Sequence, residues 1–392
     1  MLNCRPPRCT LMSARARHGK YISQPIRWPE RKTASLRVTN RLSRLREKLA
    51  QQEIDAIFVS QPDNRGYLSG FDGSAGYLLI TEKDAIIATD FRYIEQVKQQ
   101  SPDYRVFQIS GDMANWLPEL ITGLGGRKLG FELQHMSLAM YRQIGAIIKK
   151  IEPSPRLVPL EGLVESLRAI KEAEEIEVIA QAADISDRAF LHIEKNIKAG
   201  MSEREVAWEV EKFMREHGSQ AVPFDVIVAS GPNAALPHAR PTERIIQEGE
   251  PVLMDIGARV QGYASDLTRT ICLGEPDDNF KKVYDIVLGA QLAALELIKE
   301  GMTGEQADNL ARTIIAETGY AEAFGHALGH GIGLVAHESP RLGPGSKEKL
   351  ISGMVFTIEP GIYLPGWGGV RIEDLVVLEN GDLRVLSKAR KT

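Results

Sequence analysis

Five residues of this 392-residue chain have side chains and surroundings suited to holding metal ions: Asp255, Asp266, His330, Glu359 and Glu373. Asp255 lies in Pro251-Val252-Leu253-Met254-Asp255-Ile256-Gly257-Ala258, an apolar run where a carboxylate is costly to bury unless it is paired or binds a cation. Beyond a Gln261-Gly262 turn the chain returns through Ala264-Ser265-Asp266-Leu267-Thr268-Arg269-Thr270. This pattern predicts a β-hairpin on which the two aspartates converge, although caps or salt bridges would also explain them. Three of the eight histidines, His326, His330 and His337, fall within a short glycine-rich stretch, where Gly329 and Gly331 allow close approach to His330. Thr357-Ile358-Glu359-Pro360-Gly361 sets an acid at the end of a β-branched strand. In Val370-Arg371-Ile372-Glu373-Asp374, strand alternation puts Arg371 and Glu373 on one face. Four carboxylates and one imidazole suit two fairly hard divalent ions bridged by acids; without cations the acids would repel one another strongly.

The elements that must position these groups divide into three segments. Residues 1–37 form a basic leader with nine Arg or Lys against one acid, Glu30. They read either as an organellar transit peptide or as translated upstream sequence with the start at Val38, and disorder is expected in both cases. Residues 38–160 alternate strands (56–60, 76–81, 85–89, 105–109, 128–132) with helices near 40–52, 116–122 and 137–150, an α/β domain. Residues 161–392 open with a linker helix expected over Leu167–Ala189.

A repeat follows at an offset of 101: Ile197-Lys198-Ala199-Gly200-Met201-Ser202 matches Ile298-Lys299-Glu300-Gly301-Met302-Thr303, Glu205 matches Gln306, and Glu216-His217-Gly218 matches Glu317-Thr318-Gly319. Each copy reads as a helix, a glycine, a capping box and a second helix. Two unrelated capped hairpins would look similar, but duplication would give a pseudo-twofold domain with a site between its halves.

Composition narrows the function classes. The net charge of −4 argues against nucleic acid as the main partner, and no long apolar run suggests a membrane span. Of the three cysteines, Cys4 and Cys9 lie in the leader, leaving Cys272 alone in the body and no disulfide framework, as in a reducing compartment. A cytoplasmic location is expected, or an organellar one if the leader is a transit peptide.

The ligand set resembles that of the M24 metallopeptidases, in their proline-specific branch. The resemblance extends to Phe224-Asp225-Val226-Ile227-Val228-Ala229-Ser230-Gly231, to Pro237-His238-Ala239-Arg240-Pro241, and to Tyr67-Leu68-Ser69-Gly70-Phe71 in a creatinase-type first domain. It implies an α/β creatinase-like N-terminal domain followed by an α+β pita-bread catalytic domain. Two divalent metal ions are implied per chain, Mn or Co first and Zn or Fe next, with a hydroxide between them that hydrolyses the Xaa-Pro bond of short peptides. Asp255 would serve one metal and His330 the other. Asp266 and Glu373 would bridge them, and Glu359 would bind metal and act as the proton carrier. His238, His326 and His337 would surround the scissile bond, and Arg371 would bind substrate or neutralise the acids.

Outside the resemblance, His238 also reads as a loop histidine, His326 as a core residue and Trp367 as a pocket or surface aromatic. The short first domain favours an Xaa-Pro aminopeptidase; an Xaa-Pro dipeptidase is the alternative, with a creatinase-like or catalytically silent scaffold further off. A homodimer is implied by the resemblance alone.

Overall fold

The computed structural model describes residues 31–391, so most of the basic leader lies outside the described residues. The chain enters through α1 (Arg31–Gln51), whose Leu42, Leu45 and Leu49 share a buried stripe. A mixed six-stranded sheet follows: β1 (Ala56–Val59), β2 (Tyr77–Thr81), β3 (Ala85–Thr89), β4 (Arg105–Gln108), β5 (Lys128–Glu132) and β6 (Arg156–Leu160), in the order β4-β3-β2-β1-β5-β6. Period-two alternation divides its side chains between two cores. Ile57, Val59, Leu78, Ile80 and Ile87 meet α1, α2 (Pro62–Ser69) and α3 (Ile94–Gln100). Ala56, Phe58, Leu79, Ile86 and Ala88 meet α4 (Met113–Ile121) and α5 (Leu138–Ile148) on the other face.

The linker helix expected over Leu167–Ala189 is instead two helices. A short α6 (Glu165–Arg168) ends before Lys171, and α7 (Ala173–Asn196) begins after a capping box between Glu172 and Glu175. The break has a packing cause: Arg168 and Lys171 are drawn inward, with side chains 4% and 1% exposed, to pair with Glu338.

The rest of the chain forms two matching halves. In the first, α7 and α8 (Glu203–Glu216) pack on a three-stranded sheet of β7 (Ile227–Ser230), β8 (Pro251–Ile256) and β11 (Leu267–Cys272). The β8–β11 connection carries the small ribbon of β9 (Arg259–Val260) and β10 (Tyr263–Ala264). Its turn uses Gln261 at φ 47° and Gly262 at φ 85°, the left-handed pair a tight hairpin needs.

In the second half, α9 (Asp278–Leu297) and α10 (Gly304–Glu317) back a sheet of β12 (Gly329–Gly331), β13 (Glu338–Leu342), β14 (Val355–Ile358), β17 (Asp374–Glu379) and β18 (Asp382–Val385). A further hairpin, β15 (Gly361–Leu364) with β16 (Gly368–Arg371), reaches toward the first half. The offset of 101 reappears in three dimensions: α8 and α10 both run 14 residues behind capping boxes, at Ser202/Glu205 and Thr303/Gln306. Matching bridges join Ser202 to Ile245 and Thr303 to Lys349. Among the described residues no helix is long and apolar enough to cross a membrane.

Candidate active site

The centre of the domain gathers all five sequence-derived ligand candidates in one cavity of about 640 Å³ between the halves. Asp255 projects from β8, and Asp266 sits one residue before β11; antiparallel pairing of Leu267 with Ile256 brings the two together. Glu373 lies between β16 and β17, outside regular strand pairing, yet points the same way as Arg371. One carboxylate oxygen from each of Asp255, Asp266 and Glu373 lies within 4.8 Å of the others. His330 and Glu359 complete the wall, with His330 Nε2 3.2 Å from Glu359 Oε1 and 3.7 Å from Asp266 Oδ2.

Local structure explains how each group is aimed. The β12 strand threads between two neighbours so closely that a Cβ at Gly329 would lie 2.0 Å from the Thr357 carbonyl oxygen, and one at Gly331 2.0 Å from that of Ser339. Only glycine allows this, and it sets His330 directly beside the end of β14 and Glu359. Thr357 accepts from the His330 amide at 3.1 Å and donates to Glu359 Oε1 at 3.0 Å. Thr268 plays the same part for Glu373, donating to Oε2 at 2.7 Å while accepting from Arg371 Nε at 3.1 Å. Behind Glu373, the buried Arg269 donates to its backbone oxygen and, at 2.7 Å, to Asp374 Oδ1, so Asp374 turns away from the site.

Arg371 fills the floor. Nη2 donates to Asp255 Oδ2 at 2.6 Å, and Nη1 to the Tyr363 hydroxyl at 3.0 Å and the Pro237 carbonyl at 3.1 Å. Tyr363 Oη also meets His326 Nε2 at 2.8 Å, which links the pocket-wall histidine to the acid cluster. His337 lies against His330 with ring centroids 4.1 Å apart, and His238 borders the cavity from the first half. Trp367 does not line the cavity; it packs, partly buried, against the second core. The residues that the motifs did not single out are Thr268, Thr357, Tyr363, Glu338 and Arg341, of which Glu338 and Arg341 also border the cavity.

The electrostatics ask for cations. Burial, then repulsion from Glu373 and Asp255, pushes Asp266 well above the carboxylate range. Burial, then Glu359 and Asp255, does the same to Glu373, and burial raises Asp255 despite Arg371. Three such carboxyls cannot ionise together unless positive charge joins them. Among the described residues, buried Oδ1 of Asp255 and Oε1 of Glu373 have no hydrogen-bond partner. Unshared oxygens at the point of convergence, with an imidazole alongside, fit a pair of divalent ions.

Glu359 and His330 behave differently. Burial opposes the Glu359 charge, but the hydrogen bond from His330 and its charge outweigh this and hold Glu359 at about 2. Burial likewise would lower His330, yet Glu359 raises it to about 9, so a metal here competes with a proton. Burial lowers both His326 and His337, leaving neutral rings near pH 7.

Two matched α+β halves with a carboxylate-rich centre between them, preceded by a mixed-sheet domain, define a pita-bread enzyme with a creatinase-type first domain. The chain belongs to Metallopeptidase family M24, whose model matches residues 177–380, and the Creatinase/Prolidase N-terminal domain matches residues 41–170. It is 38% identical over 357 residues to an Xaa-Pro dipeptidase of Pyrococcus horikoshii, covering 90% of this chain and 99% of that one. A solved Xaa-Pro dipeptidase from Bacillus anthracis superposes with a TM-score of 0.87 at 44% identity, covering 91% of this chain and 99% of that one. An X-Pro aminopeptidase from Thermotoga maritima gives 0.81 at 38%, covering 88% and 99%. These relatives place the chain in the proline-specific branch of the M24 metallopeptidases.

Proposed function

We propose that the chain is an Xaa-Pro dipeptidase that hydrolyses the bond between an N-terminal residue and a following proline. The convergence of Asp255, Asp266 and Glu373 carries the hydrolytic part of this reading. The dipeptide part draws on two supports. Relatives of nearly the same length carry the dipeptidase name, so a compact first domain does not favour an aminopeptidase. Arg341, four residues past His337 on β13, borders the cavity and offers a cation to the carboxylate in which a dipeptide ends.

Asp255, Asp266, His330, Glu359 and Glu373 would hold two divalent ions, with Mn or Co best suited to this oxygen-rich set. When bound, such ions lower the pKa of water and polarise the substrate carbonyl. Arg371 keeps Asp255 oriented, and Thr268 and Thr357 fix Glu373 and Glu359. Glu359, ionised across the neutral range, takes the proton of the attacking water and returns it to the proline nitrogen as the peptide bond breaks. His238 and His337 are set to donate to the carbonyl oxygen as negative charge develops there, and a neutral ring is the form needed at His337. His326, tied to Tyr363, walls the space for the proline ring.

The test is turnover by Mn- or Co-loaded protein on an Xaa-Pro dipeptide, an Xaa-Pro-Yaa tripeptide and Ala-for-Pro controls, with and without chelator. Chelator-sensitive cleavage favouring the dipeptide supports the proposal. Preference for the tripeptide would establish an aminopeptidase, and equal cleavage of the alanine controls would remove proline specificity.

A further inference from the structure

We propose that Glu338 is a positioning residue for His337, clamping the start of β13 to the connection between the two domains; this rests on the peptidase reading above. Glu338 follows His337 directly and borders the catalytic cavity, yet its carboxylate turns away from the metal ligands. Arg168 Nη2 meets Oε2 at 2.6 Å and Lys171 Nζ meets Oε1 at 2.8 Å, in a pocket where the Glu338 side chain is 7% exposed. Arg168 has a second end: Nη1 donates to Asn64 Oδ1 at 2.8 Å, and Asn64 Nδ2 donates to Glu132 at 2.8 Å and Glu165 at 2.6 Å. Lys171 is fixed through its backbone, which donates to the Gly353 carbonyl at 2.8 Å. One chain of buried polar contacts therefore runs from α2 and β5 of the first domain, through the inter-domain connection, to the residue beside His337.

The segment that carries His337 depends on this clamp. Between His330 and Gly331 the register slips: His330 faces Arg341, whereas Gly331 faces Glu338. Beside that irregularity the His337 ring lies over His330, with ring centroids 4.1 Å apart. Among the described residues the His337 ring makes no hydrogen bond to another protein group, so apart from its contact with the His330 ring its placement comes from the backbone on either side. Before it, Leu334 packs on the first-domain core and its carbonyl accepts from Arg259 Nη1 at 2.8 Å. After it stands Glu338. The carboxylate fits only because residue 333 is glycine, since a Cβ there would lie 2.3 Å from Glu338 Oε1. Two cations on one buried carboxylate are a demanding way to anchor the start of a strand, and each of the two contacts restricts how that carboxylate can sit.

The experiment is a double-mutant cycle on metal-loaded protein with the proline peptide that the wild type cleaves. E338Q is expected to lower kcat by about tenfold to a hundredfold, the scale of a small misplacement, with KM and bound metal nearly unchanged. In the H337A background the same substitution should cost less than about twofold, because the residue it positions is gone. Full kcat in E338Q, or losses that multiply in the double variant, would overturn the proposal. A second readout needs no turnover: in metal-free, histidine-labelled protein, E338Q should shift and broaden the His337 ring signals while those of His192 stay fixed. Unmoved His337 signals overturn it too. A wild type that cleaves no proline peptide would refute the function reading, and the ring signals would still decide the role of Glu338. If E338Q does not fold, R168K, which keeps the charge but shortens the reach between Asn64 and Glu338, takes its place in both measurements.

Discussion

Replacing Glu359 with glutamine should weaken the metal-free protein in a way that depends on pH with a definite sign. In the wild type, against the opposing effect of burial, Glu359 is the main group that lifts His330 from an ordinary 6.5 to about 9, with Glu373 and the Gly331 carbonyl adding to it. At ~1.4 kcal/mol per pH unit, that gap is worth about 3 kcal/mol. The matching depression of Glu359, from 4.5 to about 2, is the same attraction seen from the other partner and is counted once. Because the His330 pKa is raised on folding, the contribution is complete below pH 6.5 and is lost as pH rises through 9. Glu359 stays ionised across this window.

The glutamine oxygen still accepts a hydrogen bond, so the loss is the charge part, about 2–3 kcal/mol. Urea unfolding of both proteins in chelator, at pH 6 and pH 10, measures it. The wild type should lead by about 2–3 kcal/mol at pH 6 and by less than ~1 kcal/mol at pH 10, when His330 is neutral in either protein. A difference that is the same at both pH values, or none at pH 6, would refute the pairing as the source.

Other predictions follow from the same geometry. Asp266→Ala or Glu373→Ala should cut turnover by at least ~100-fold and reduce bound metal below two ions per chain, with far-UV circular dichroism unchanged; full activity after metal reloading would defeat the dinuclear assignment. Removing metal should abolish turnover, and Mn at about 100 times its Kd should restore ~2.7 kcal/mol of unfolding free energy, more easily at pH 8 than at pH 5 because buried carboxyls and His330 must lose protons to bind it. Tyr363→Phe deletes the hydroxyl shared by His326 and Arg371 and should lower kcat/KM by about tenfold, the worth of ~1.4 kcal/mol, while costing ~1 kcal/mol of stability. An unaltered kcat/KM would show that neither partner needs it.

The convergence of the five candidate ligands was readable because each is an acid or histidine in an apolar or glycine-rich setting, a placement that simple burial does not favour. The β-rich runs of the first domain were equally plain: strands over 85–89 and 128–132 appear where their β-rich composition put them. What alternation could not show is a side chain that acts through another. Tyr363 is one tyrosine on a hairpin strand, and nothing local reveals that its hydroxyl lies between His326 and Arg371. Glu338 likewise looks like a polar residue after a histidine, and its partners lie about 170 residues upstream. The same omission misplaced the linker helix. Arg168 and Lys171 look like solvent-facing helix charges until Glu338 is known to draw them inside.

The division of the candidate ligands between the halves would give bound ions a mechanical part in the fold. Asp255 and Asp266 belong to the half built on α7 and α8, whereas His330, Glu359 and Glu373 come from the half built on α9 and α10. Neither half owns a full coordination sphere. A cation held by this set would tie the two halves together, so its removal is expected to weaken the seam more than the core of either half. Metal affinity would then report how well the two halves are docked, and substitutions in distant packing along that seam are expected to alter it.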